Sequence, residues 1–143
     1  MQISLQYKTN SNKAYLCMPL WYRIISIIFF VFSSAAYAIS YPNPIALFLC
    51  LLLFISSGYV DTWIFDKDKG KLYHSLGWAF IRIKKESLQL KDIKAIEVDS
   101  STAYKKLVIV STNGRKIILD IKKGKHSEVL KNIAEKLIIF LNI

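Results

Sequence analysis

From Ile24 to Val60 the chain runs for 37 residues without one Asp, Glu, Lys, Arg or His. No other feature constrains the fold as strongly. The run is too long for a single membrane-spanning helix, which needs about 20 residues, and it suits two. Ser40-Tyr41-Pro42-Asn43-Pro44 breaks it with two prolines and an Asn, the residues of a turn. The residue before each proline is driven away from the helical region. The sequence therefore predicts a first helix from Leu20 to Ser40 and a second from Pro44 to Tyr59. Pro44 suits the first helical turn, where its missing N–H costs nothing. Trp21 and Tyr22, then Tyr37 and Tyr41, then Tyr59 and Trp63 fall where amphipathic rings favour a membrane–water boundary.

Charge sets the orientation. The chain carries 20 Lys plus Arg against 10 Asp plus Glu, a net charge of +10. Lys8, Lys13 and Arg23 precede the apolar run, the remaining basic residues follow it, and the turn between the helices has none. Basic flanks stay inside, so both termini are expected in the cytoplasm and the turn outside, in a multi-pass inner-membrane protein. One competing reading applies to the first helix. Ile24–Phe32 followed by Ser33-Ser34-Ala35-Ala36-Tyr37-Ala38 has the form of a signal peptide ending in Ala-x-Ala. Cleavage there would remove the first helix and leave the second as an anchor. The expected organisation is an N-terminal cytoplasmic segment 1–19, a two-helix hairpin 20–60 and a cytoplasmic domain 61–143.

With 53% apolar residues and this long neutral run, a water-soluble enzyme with one large core and a disordered basic tail are both nearly excluded. Roughly 80 residues follow the hairpin, enough for one small core. They alternate short apolar runs with turn residues. Thr62–Phe65, Lys71–Leu76, Phe80–Lys84, Lys94–Asp99, Tyr104–Ser111 and Lys116–Ile121 predict six strands. Lys67-Asp68-Lys69-Gly70 and Thr112-Asn113-Gly114-Arg115 are turns, the second with the Asn-Gly pair of a tight hairpin. Gly77-Trp78 allows a kink or tight connection. Val129, Leu130, Ile133, Ala134, Leu137, Ile138 and Leu141 then fall on one helical stripe, with Ser127 as N-cap and Gly124 just before it. That amphipathic helix could cover the sheet or lie on the bilayer; its polar face is not strongly basic, which favours the sheet. Upstream, Ile3, Leu5 and Tyr7 alternate with polar residues and suggest a short strand at the sheet edge, or a frayed terminus. The expected fold class is a membrane α-hairpin plus an α+β domain, an antiparallel sheet or small barrel closed by the C-terminal helix.

This order of elements resembles the small bacterial two-helix membrane proteins that carry a pleckstrin-homology-like (PH-like) cytoplasmic domain. The resemblance rests on the strand after the second helix, the Lys67–Gly70 turn, Leu90-Lys91-Asp92-Ile93 before a strand, the Asn113-Gly114 hairpin and the final helix. It spans residues 59–143 with the hairpin before them. Six strands are one short of that fold's seven: either the seventh is Leu88–Leu90 or the N-terminal segment, or the fold differs. In lipid-binding members, basic residues on the first hairpin hold a phosphorylated head group. The resemblance implies Lys71, Arg82 and Lys84 for that role, with Lys84 standing where the pattern has Arg and losing bidentate phosphate geometry. A strand leaving the bilayer would carry Lys67, Lys69 and Lys71 about 15 Å away, beyond a Debye length of about 8 Å, where soluble anions reach them.

Chemistry beyond charge is sparse. No Gly-rich phosphate loop and no nucleophile with His and acid partners occurs in the sequence, so no catalytic residue, cofactor or enzyme activity is expected. Cys17 and Cys50 are read as packing residues. His74 and His126 belong to no ligand cluster, so no metal site is expected either. Asp61, Asp66 and Asp68 read as a solvated turn interrupted by lysines. The expected function is a membrane-anchored interaction module that recruits or scaffolds a protein partner, through edge strands and charged turns. The alternative is a sensor of an anionic ligand such as a nucleotide messenger, with Lys67, Lys69, Lys71, Arg82 and Lys84 as the candidate anion-binding set. Ser33-Ser34-Ala35-Ala36 and Ser56-Ser57-Gly58 permit close helix approach, which makes Ser33, Ala36, Ser57 and Gly58 candidate helix–helix contacts, within a homo-oligomer included. Partners are thus the lipid bilayer, an unknown protein, a second copy or a small anion. Nucleic acid is disfavoured because no stacking platform can be picked out.

Overall fold

The segment before the apolar run and the segment after it are neighbours in one sheet. The computed structural model describes residues 5–39, 44–78, 81–101, 103–123 and 127–143. Strands β1 (Gln6–Asn10) and β2 (Lys13–Cys17) lead into helices α1 (Leu20–Ile39) and α2 (Pro44–Gly58). Then come β3 (Tyr59–Asp66), β4 (Lys71–Trp78), β5 (Ile81–Gln89), a 3-10 turn at Leu90–Asp92, β6 (Ile93–Asp99), β7 (Tyr104–Ser111), β8 (Lys116–Lys123) and α3 (Ser127–Leu141). A five-stranded antiparallel sheet has the order β1-β2-β3-β4-β5, and a three-stranded one the order β6-β7-β8. β2 pairs with β3 from Lys13↔Asp66 to Cys17↔Thr62.

Alternation explains which face each strand buries. In β2, Ala14 and Leu16 point inward between Lys13, Tyr15 and Cys17. In β3, Trp63 and Phe65 do the same, and Phe65 has no exposed surface. They meet Leu72 of β4, Ile93 and Ile96 of β6, Leu107 and Ile109 of β7, and Leu119 of β8 in one core. α3 lies on the three-stranded sheet. It contributes Leu130, Ile133, Ala134 and Leu137, spaced as one face of a helix. Burying a side chain of Leu size stabilises by about 2 kcal/mol, so this stripe is what fixes the helix on the sheet. Turn chemistry is consistent at Gly70 (φ 62°) and Gly114 (φ 79°), both in the left-handed region that glycine enters without strain.

The helices reverse this pattern. Ile24, Ile25, Ile28, Phe29, Val31 and Phe32 of α1 are exposed, as are Phe48, Leu51 and Leu52 of α2. The two helices pack on each other. Hydroxyls and aromatic rings meet between them: Tyr22 Oη and Ser56 Oγ are 2.8 Å apart, Ser26 and Ser56 hydroxyls 3.5 Å apart, and the Phe30 and Phe54 rings 5.5 Å apart.

Several expectations are corrected. There is no closed barrel: among the described residues the two sheets share no strand pairing. The described residues form eight strands where six were predicted. The expected N-terminal edge strand is present as β1 at the edge of the five-stranded sheet, but it is one arm of a hairpin: Ser11-Asn12 turns the chain, and β2 joins β1 to β3. β4 runs past the predicted Leu76 through Gly77-Trp78, directly before β5 begins at Ile81, and a Cβ at Gly77 would strike the backbone of Ile81 and Arg82 on β5. Leu88 is the end of β5 rather than a strand of its own, after a register shift opposite Leu72/Tyr73. Val129 lies outside the buried stripe of α3. Among the described residues only α1 is long and apolar enough to cross a membrane; α2, with 15 residues, is a shorter apolar helix. Ile3, the turn at 40–43, Phe80, Gly124 and His126 lie outside the described residues.

Candidate anion-binding face

The face of the five-stranded sheet turned away from the core is basic. Register places Lys13 beside Asp66, Tyr15 beside Ile64, Ile64 beside Tyr73, and Ser75 beside both Thr62 and Lys84. These residues, with Lys69 and Arg82, line a cleft of about 320 Å³ across β2 to β5. Of the five basic residues expected to act together, the fold gathers Lys69, Arg82 and Lys84 here and adds Lys13. Lys67 is not among them: its ammonium sits 4.5 Å from the Phe140 ring centroid, on the side of α3. Lys71 pairs with Glu86 at 2.9 Å, and this carboxylate raises the pKa of its amine through their hydrogen bond.

One acid interrupts the cleft. Asp66 is buried, accepts the Lys69 amide at 3.2 Å and stands 3.3 Å from Lys13 Nζ. Burial opposes its charge, but the Lys69 amide and the Lys13 ammonium together hold its carboxyl below the usual range. Lys13 is raised in turn, chiefly by its hydrogen bond to Asp66. The other two acids of the exit segment do not converge with it. Asp61 Oδ1 is 2.9 Å from His74 Nε2, whose ring stacks on Trp63 at 4.0 Å, and Asp68 accepts the Asn12 amide at 2.6 Å. Among the described residues no group of three His, Cys, Asp or Glu side chains is placed to hold a metal.

A second cleft, of about 310 Å³, continues from the first toward the feet of the helices. It is lined by Lys8 of β1, Arg23 of α1 and Arg82 of β5, together with Tyr15, Thr62 and Tyr59. The sequence reading did not single out Lys8, Lys13 or Arg23 for a site. Lys13 opens the alternating segment Lys13–Cys17, but the juxtaposition of the three with Arg82 depends on β2 pairing with β3.

The four residues expected between helices divide. Gly58 is buried because the Trp78 indole lies against it, leaving no room for a Cβ. Ser57 bonds the Phe54 carbonyl of its own helix. Ser33 is half-buried and Ala36 exposed. Within one chain, Tyr22, Ser26, Phe30, Phe54 and Ser56 meet between α1 and α2.

At the other edge of the sheet, no strand among the described residues pairs with β5 beyond β4. Ile81 and Ile83 are 74% and 72% exposed there, opposite Trp78 and Leu76, while Arg82 and Lys84 point to the basic face. No protein-family model matches the chain, and no curated protein matches it in sequence.

Proposed function

We propose that this chain is a membrane-anchored interaction module of the bacterial inner membrane. Its α1–α2 pair lies in the bilayer, both ends of the pair face the cytoplasm, and its PH-like sheet domain recruits a protein partner. The observation that supports this best is the pairing of Cys17 with Thr62. The strands entering and leaving the apolar hairpin are hydrogen-bonded neighbours, so both feet of the hairpin share one side. With 20 residues α1 reaches about 30 Å, the thickness of the hydrocarbon core. If α1 crosses, that pairing requires the chain to return. α2 covers only about 22 Å of the way, a mismatch that bilayer thinning or flanking residues accommodate. The basic flanks favour the cytoplasmic side for the sheet.

The partner we infer is an extended segment that adds a strand to β5. An unpaired edge offers backbone hydrogen bonds, and alternate side chains supply selectivity. Ile81 and Ile83 on one face with Arg82 and Lys84 on the other favour a segment that alternates apolar and acidic residues. A photo-crosslinking residue at Ile83 in growing cells tests this. A discrete protein adduct that weakens in the Arg82→Glu, Lys84→Glu chain supports the reading. Adducts with lipid alone contradict it.

The basic cleft favours a second reading, a sensor of a soluble anion such as a nucleotide messenger. Lys13, Lys69, Arg82 and Lys84 around about 320 Å³ are its support. Titration calorimetry of the full chain in detergent with nucleotides tests it. Heat lost in Lys84→Gln supports the sensor, and absence of heat removes it.

A further inference from the structure

We propose that the cleft at the feet of the helices holds the phosphate of an anionic glycerophospholipid from the leaflet the sheet domain faces. The inference rests on the membrane reading above and names a ligand for the hairpin's base. Three cations reach the cleft from three separate elements: Lys8 from β1, Arg23 from α1 and Arg82 from β5. No acid lines it, whereas the neighbouring cleft contains Asp66, which engages Lys13. Among the described residues none of the three forms an ion pair. Arg23 Nε is buried and meets no hydrogen-bond partner. A buried guanidinium N–H without an acceptor costs about 1–3 kcal/mol, and a phosphate oxygen would remove that cost. Arginine also offers a planar fork that matches phosphate oxygens.

Phosphate chemistry alone would suit a soluble anion equally. Placement favours the lipid. Leu20 and Met18 lie at the foot of α1, and Val60 two residues past the end of α2, and all three line the same cleft. An apolar wall beside three cations fits a group that is charged at one end and greasy at the other. Arg23 sits one turn inside α1, about 4.5 Å beyond Leu20, so its side chain reaches back to head-group depth.

The test uses the full chain in nanodiscs of phosphatidylcholine, with and without phosphatidylglycerol, and native mass spectrometry to count retained lipid. Expected is retention of phosphatidylglycerol over phosphatidylcholine. Arg23→Gln and Lys8→Gln should each reduce it about fivefold, the effect of one basic residue beside an anionic leaflet. Lys131→Gln, which removes the same charge from the exposed face of α3, should retain lipid as the parent does, and inorganic phosphate should not compete. If Arg23→Gln does not fold, Lys8→Gln on the edge strand carries the comparison. Equal retention of the two lipids, an equal loss in Lys131→Gln, or displacement by inorganic phosphate overturns the proposal while leaving the membrane reading intact. A chain that does not enter neutral discs overturns both.

Discussion

The indole N–H of Trp78 donates to the carbonyl oxygen of Ile55 at 3.0 Å. The bond joins the far end of β4 to the last turn of α2, where helical carbonyls have no partner of their own. The same ring packs on Gly58 and lies 4.9 Å from Phe54, which in turn meets Phe30 of α1. A single aromatic chain thus couples the sheet to both helices. Trp78→Phe keeps the ring and deletes the donor, and should cost about 1 kcal/mol in denaturant unfolding. Trp78→Ala should cost more than that, because it also empties the contact with Gly58. Equal stability of the two variants would show that the hydrogen bond, and not the packing, carries the coupling.

Gly77 allows β4 and β5 to close. A Cβ there would run into the backbone of Ile81 and Arg82, which cannot swing aside as a side chain tip can. Gly77→Ala should destabilise by about 2 kcal/mol, the scale of an overpacked contact. Gly70→Ala should cost about 1 kcal/mol, because Gly70 has open space around it and only its positive φ is strained by a side chain. Thermal unfolding of the two variants side by side checks the order.

The Lys13–Asp66 pair makes stability depend on pH in a defined sense. The folded-state pKa of Asp66 is lowered, so its contribution is complete above the unfolded carboxylate value and is lost as pH falls through the folded one. The folded-state pKa of Lys13 is raised, so its contribution is complete below the unfolded amine value and is lost as pH rises through the folded one. Asp66→Asn should therefore flatten the acid limb of urea midpoint against pH, below about pH 4, and leave the neutral plateau level. An unchanged acid limb would mean that other carboxylates dominate it.

The sequence displayed some of this fold plainly. An uncharged run broken by Pro42 and Pro44 announces two helices, and the apolar run Leu107-Val108-Ile109-Val110 with Asn113-Gly114 after it announces a hairpin. The stripe Leu130, Ile133, Ala134 and Leu137 announces α3. What stayed hidden was long-range. Lys13–Cys17 has the alternation of a strand but lies before the apolar run, and only its pairing with β3 on the far side of that run makes it one. Hence Lys8, Lys13 and Arg23 were not grouped with Arg82, although the fold places them together. The lysine turn misled for a local reason: neighbouring turn residues point in different directions, so Lys69 enters the cleft while Lys67 turns to Phe140.

The central claim is that both feet of the hairpin lie on one side of the membrane and its tip on the other. It is tested most directly by thiol accessibility in intact cells. In a chain with Cys17→Ser and Cys50→Ala, single cysteines are placed at Asn10, Pro44 and Ser100 and exposed to a membrane-impermeant maleimide. The account predicts that Pro44→Cys reacts from outside, while Asn10→Cys and Ser100→Cys react only after the cells are opened. Reaction of Ser100→Cys in intact cells, or of Asn10→Cys and Ser100→Cys on opposite sides, would contradict it.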